Sequence, residues 1–141
     1  MLWTLQKMNR GRPQTMASRK QRWVHSPGHV VYARIQYADV EGSKSRFAVV
    51  VSSHEFNTRY TELIVAFATR SRNIRHPLGY DVEIPDSHPR FNLTGLSEST
   101  TVRCGRLWTL DSHAIINNAG VVPDDVLADI QRLTLECFEV R

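Results

Sequence analysis

Arg46-Phe47-Ala48-Val49-Val50-Val51-Ser52-Ser53 and, a short step on, Glu62-Leu63-Ile64-Val65-Ala66-Phe67-Ala68-Thr69 are the stretches that decide how this chain folds. Each is an unbroken apolar run, rich in β-branched residues, too short for a core helix and polar at its ends. Such runs are strands buried on both faces, unlike the alternating pattern of a strand with one wet face. Arg46 stands at the entrance of the first and Thr69 at the exit of the second. A guanidinium and a hydroxyl at such strand ends are suited to gripping a phosphate.

Outward from these runs, Pro27-Gly28 reads as a turn and His29 to Ile35 as a strand with partial alternation. Gln36 to Ser45 is a polar loop, and Ser53 caps a single helical turn through Asn57. Tyr80 to Ile84 alternates and reads as an exposed strand; Thr100 to Leu110 is a further, β-branched one. Asp111 or Ser112 is placed to cap a short helix through Ile115 and Ile116, with Gly120 ending it. Pro123, Asp124 and Asp125 then open an amphipathic helix whose apolar positions are Val126, Ile130, Leu133 and Cys137. The expected fold is mainly β with helices: a small SH3-like barrel carrying a short helix and a C-terminal amphipathic helix.

With 141 residues, 41% hydrophobic and 23% charged, the chain has the composition of one globular domain. Its charge is unevenly spread. Lys7, Arg10, Arg12, Arg19, Lys20 and Arg22 share residues 1–26 with no acid, so residues 27–141 carry −2 of the whole-chain +4. Residues 1–26 are therefore expected to be a flexible basic arm and residues 27–141 the folded domain. The arm reads equally as a nucleic-acid contact or as a solvated tail. The only two cysteines, Cys104 and Cys137, have no Cys-x-x-Cys spacing and suggest no disulfide framework, which points to a reducing bacterial cytoplasm. No stretch is long and apolar enough to cross a bilayer, so no membrane partner is expected.

Arg46 alone is more often a structural charge at a sheet edge, and Thr69 alone is a common strand terminator. Glu41, five residues before Arg46 in a glycine-containing loop, reads either as a general base or as the ion-pair partner of that arginine. Together the three supply what ribonucleolytic transesterification requires: a proton acceptor for a 2′-hydroxyl, a cation facing the charge that develops on phosphorus, and a donor to a non-bridging oxygen. That route needs no metal and no other cofactor, and the chain shows no paired-carboxylate or His-rich ligand spacing. Arg70, Arg72, Arg75 and His76 fall within seven positions next to Thr69 and form either a solvated loop or a wall of an RNA channel, where arginines meet phosphates and unpaired bases. Ser52, closing the first run, is grouped with these RNA contacts. Of the six histidines, His54 and His76 are the outside candidates for acid or base. Residues 107–141, with two arginines against six acids, read as a poor RNA surface.

In order and spacing, Pro27-Gly28-His29-Val30-Val31-Tyr32, Glu41 to Ser52, Phe56-Asn57, Glu62 to Thr69, Ser99 to Cys104 and Leu107 to Asp111 resemble the MazF/PemK family of toxin endoribonucleases. The resemblance implies a homodimeric SH3-like barrel, held inactive by a cognate antitoxin, that cuts single-stranded RNA, mRNA included, at short sequences without metal. It places the catalytic arginine on Arg46, the catalytic threonine on Thr69 and the acidic residue of the first long loop on Glu41. The chain departs from the pattern in four places. Phe47 stands where a proline usually follows the arginine, Gly105 and Arg106 replace an acid and a glutamine, and His29 replaces an acid. Two other readings share the fold. One is a non-catalytic toxin of the CcdB-like type, binding DNA gyrase through its C-terminal helix; the other is a decayed member that binds RNA without cutting it.

Overall fold

The structure is a computed structural model of the chain, and its description covers residues 24–36, 43–76 and 79–138. Strands β1 (His29–Gln36), β2 (Ser43–Val50), β3 (Glu62–Arg70), β4 (Asp81–Ile84), β5 (Thr100–Asp111) and β6 (Ile115–Val121) form one antiparallel sheet in the order β4-β5-β3-β2-β1-β6. Helix α1 (His54–Arg59) joins β2 to β3, and α2 (Asp124–Glu136) follows β6. Three short 3₁₀ turns, Ser71–Asn73, Phe91–Thr94 and Ser112–Ala114, fill connections.

The connectivity forces the sheet to curl. β5 and β6 flank the β3-β2-β1 triplet, so a flat sheet would hold them about 19 Å apart at the usual strand spacing. Yet only the turn Ser112–Ala114 separates them, and a chain that short spans at most about 14 Å. The sheet therefore bends round on itself, as in an SH3-like barrel, although it does not close: β4 and β6 remain its edges. Strand alternation then sends side chains to two cores. On the concave face Val31, Ala33 and Ile35 of β1, Ala48 and Val50 of β2, Leu63, Val65 and Phe67 of β3 and Leu110 of β5 bury one another with no helix covering them. On the convex face Val30, Val49, Ala66, Val102 and Cys104 pack under Val126 and Ile130 of α2.

Most elements fall where the residue pattern predicts, including the Ser53 cap, whose hydroxyl accepts from the Phe56 N–H at 3.1 Å. The segment after Asp111 does not. Asp111 does cap, accepting the His113 N–H at 2.8 Å, but for a single 3₁₀ turn; Ile115 to Val121 is strand β6, paired with β1. Without it the backbone of β1 would be an unpaired edge beside the core, and that demand overrides the local helix signals. Gly120 is accordingly no helix terminator. A Cβ there would stand 2.1 Å from the Leu93 carbonyl oxygen, so its bare backbone is what lets the Phe91–Thr94 turn lie against β6. β2 also begins earlier than its apolar run, at Ser43.

A buried polar knot ties the chain just before β1 to the strand end of β2. The Asn57 amide donates to the carbonyls of His25 (2.7 Å) and Ser52 (3.1 Å), and the Ser52 hydroxyl donates to Asn57 Oδ1 while accepting the Ile64 N–H. His25, at the end of the expected arm, is itself buried and bonded to Asn118. His29 answers its own puzzle: its Nδ1 accepts the Ser26 N–H at 3.2 Å, a task that the carboxylate of an acid could perform as well. Burial, and then neighbouring His25, lower its pKa, because both oppose the imidazolium.

Two outcomes follow. Asn57→Ala strands the buried groups of His25 and Ser52 and should lower stability in urea unfolding by about 2–3 kcal/mol. Because His29 titrates below the ordinary 6.5, the unfolded chain takes up a proton first as pH falls through that value. The stabilisation from neutral His29 is thus present above it and lost below it. Thermal midpoints should fall between about pH 7.5 and 5.5, and less steeply in His29→Asn.

Candidate active site

β2 and β3 pair at Val50↔Val65, Val49↔Ala66 and Ala48↔Phe67, where the ladder ends. Carried two residues further, the same register sets Arg46 across from Thr69. Both belong to the concave-facing set, Arg46 in phase with Ala48 and Val50 and Thr69 in phase with Val65 and Phe67. Where the ladder ends, a pocket of about 210 Å³ opens, lined by Arg46, Phe47, Ala68, Thr69, Arg70 and Thr100, with Asn73 at its margin. The two residues singled out in the sequence therefore meet in one hollow, from neighbouring strands.

Arg46 is half-buried, its guanidinium carbon 6.0 Å from the centre of the Phe67 ring. Among the described residues it makes no ion pair. Phe47, in place of the expected proline, faces Tyr32 across the β1–β2 ladder with ring centroids 4.8 Å apart. An aromatic cross-strand pair of this kind holds the strand next to Arg46 by packing rather than by a fixed backbone torsion. Thr69 lies opposite Thr101 on β5, and Arg70 opposite Thr100.

The basic segment is more ordered than a solvated loop. Arg70 completes β3, and the 3₁₀ turn Ser71–Asn73 is fixed by Ser71, whose N–H donates to Ser99 O (3.0 Å) and whose hydroxyl bonds that of Thr101 (2.8 Å). Glu98 reaches both arginines: the Arg72 Nε donates to its Oε1 at 2.7 Å, and Arg70 Nε lies 3.8 Å from its Oε2. One carboxylate thus holds two cations, of which Arg70 lines the pocket. Both pairs are largely exposed, so the effect is on position more than on stability. Nothing in the sequence marks Glu98, because it is brought to the arginines only by the β3–β5 pairing. Thr100, whose hydroxyl donates to the Glu98 carbonyl, joins the pocket through the same pairing.

The remaining candidates are not gathered there. Arg75 and His76 are exposed beyond the turn and do not line the pocket; the His76 carbonyl accepts from Arg103. Ser52 lies past the opposite end of β2, buried, its hydroxyl engaged with Asn57 and Ile64. His54 is at that end too, 3.4 Å from the Ser26 hydroxyl. Glu41 lies outside the described residues, as do residues 1–23 of the arm. Among the described residues no three His, Cys, Asp or Glu side chains are placed to hold a metal ion, and no helix is long and apolar enough to cross a membrane.

Comparison with known proteins bears on this geometry. Residues 26–137 match the family model described as the PemK-like, MazF-like toxin of type II toxin-antitoxin systems. Among solved structures, the MazE-MazF complex of Deinococcus radiodurans (Form-II) superposes with a TM-score of 0.63 at 22% identity, covering 81% of this chain and 95% of that one. An endoribonuclease from a mycobacterial species, in complex with its cognate antitoxin, gives 0.61 at 15% identity, over 80% and 93%. The Mycobacterium tuberculosis toxin MazF-mt6 gives 0.58 at 14%, over 79% and 98%. At these identities the likeness is one of fold. A search of curated protein sequences returned no significant match.

Proposed function

We propose an RNA-cleaving role for the Arg46–Thr69 pocket on one premise: the chain belongs to the family of PemK-like, MazF-like toxins of type II toxin-antitoxin systems. The observation that carries the proposal is the convergence of a guanidinium and a hydroxyl, from adjacent strands, on one small hollow. A phosphodiester of single-stranded RNA fits that chemistry. The 2′-hydroxyl of the preceding ribose attacks phosphorus and gives up its proton to a base, the role carried by Glu41. Arg46 faces the negative charge that builds on the non-bridging oxygens, Thr69 donates a hydrogen bond to one of them, and the 5′-oxygen leaves, taking a proton from solvent to become a hydroxyl. The products are a 2′,3′-cyclic phosphate and a 5′-hydroxyl. None of these steps calls for a metal.

Arg70 and Arg72, held by Glu98, extend the cationic rim along which the strand's other phosphates run, while Arg75 and His76 extend it further. The mycobacterial relative is solved with its cognate antitoxin, and a cognate antitoxin with an acidic or apolar segment is the matching partner for this rim. A homodimer, mRNA as target and the bacterial cytoplasm as its setting complete the reading. The competing picture, a non-catalytic toxin acting through its C-terminal helix, has less to draw on, because Val126 and Ile130 are committed to the core.

Purified protein incubated with a long single-stranded phage RNA should generate new 5′-hydroxyl ends, mapped by their sequence context. Arg46→Ala should slow this by about 10²-fold or more with an unchanged thermal midpoint. A 2′-deoxy nucleotide at the cut should abolish cleavage, and EDTA should leave it intact. An Arg46→Ala protein that cuts at the parent rate ends the proposal.

A further inference from the structure

Phe67 lies between Arg46 of the phosphate pocket and Trp108, which lines a second, larger hollow. Its ring centre lies 6.0 Å from the Arg46 guanidinium carbon and 5.7 Å from the ring centre of Trp108, the two aromatic planes tilted by 37°. Trp108 stands on the concave face opposite Val65, in phase with buried Leu110, yet it is 38% exposed. Its exposed side lines a hollow of about 420 Å³ together with Arg34, Leu110, Asp111, His113 and Ile116.

The composition of this hollow selects what it can hold. Trp108, Leu110 and the half-exposed Ile116 offer apolar and aromatic surface. Asp111 accepts both the N–H and the Nδ1 of His113, at 2.8 and 2.7 Å, and those bonds hold its carboxyl below the usual carboxylate range. An anionic carboxylate repels phosphate and accepts from the amine of a base. We infer that the hollow is a nucleobase subsite, in which a base of single-stranded RNA adjoining the phosphate held at Arg46 stacks on Trp108. The inference rests on the RNA-cleaving reading of the Arg46–Thr69 pocket and extends it to substrate recognition. The two sites are near one another: through their contacts with buried Phe67, the Arg46 guanidinium carbon and the Trp108 ring centre stand at most 11.7 Å apart, a separation that adjoining nucleotides of an extended strand can span. Stacking on an indole tolerates any base, so Trp108 supplies affinity and register. The choice among bases falls to the polar groups beside it, Asp111 and Arg34.

The test uses a short single-stranded RNA containing a sequence the protein cuts, with a 2′-deoxy nucleotide at the cut so that binding is read alone. Trp108→Ala should weaken binding about tenfold, while Trp108→Phe, which keeps an aromatic face, should stay within about threefold of the parent. RNAs with one abasic position each supply the second arm. The parent should lose affinity at one position flanking the cut, and Trp108→Ala should be indifferent to that same abasic position, a coupling that general destabilisation does not produce. Parent-like binding by Trp108→Ala, or equal losses at every abasic position in both proteins, overturns the subsite. If Arg46→Ala weakens binding in that case, the phosphate pocket stands without it. A parent protein that cuts no RNA overturns the subsite together with the reading on which it rests.

Discussion

The turn Ser112–Ala114 is the constraint on which the rest of the architecture depends. By joining β5 to β6 across a triplet of other strands, it obliges the sheet to roll up, and rolling up gives the sheet an inside. The runs Phe47–Val51 and Leu63–Ala68 are apolar at consecutive positions because each strand then has two buried faces to satisfy, one toward the interior of the curl and one toward α2. Burial on both sides also makes these strands the least deformable part of the molecule. Residues at their ends inherit that rigidity while keeping access to solvent, and Arg46 and Thr69 occupy such ends.

This explains why so much could be read from the residues. Buried strands announce themselves by composition, and the polar residues that terminate them announce the rim. The position of the pocket follows from antiparallel pairing, since the last residue of one strand lies near the first of the next. What could not be read is what arises from contacts distant along the chain. Ile115 to Val121 carries a capping residue before it and a glycine within it, both locally helical signals, but the open backbone of β1 decides its state. Glu98 is likewise silent as a sequence feature, and Arg75 and His76, near Thr69 along the chain, stand beyond the Ser71–Asn73 turn, outside the lining of the pocket. Ser52 misled for the opposite reason. A hydroxyl at a strand end can face solvent or the interior, and here the buried amide of Asn57 claims it.

Charge at the rim is arranged with the same economy. Arg46 packs against Phe67, next to a Phe47 that pairs with Tyr32 of β1, and among the described residues no carboxylate pairs with it. Arg70 and Arg72 are treated differently: Glu98 orients both, in a setting wet enough that exchanging it for a phosphate costs little. The inner cation is thus kept ready, and the outer ones are tethered but exchangeable.

The acids of the C-terminal helix and the arginines of the pocket belong to different elements. α2 lies on the convex face and brings Asp124, Asp125, Asp129 and Glu136; the Arg46 pocket opens from the concave one. Asp125 also lies near Arg90, and Asp129 and Glu136 near Arg132, yet these are exposed pairs whose field is only reduced. A polyanion approaching the molecule therefore meets repulsion on the side of the helix and attraction on the side of the pocket.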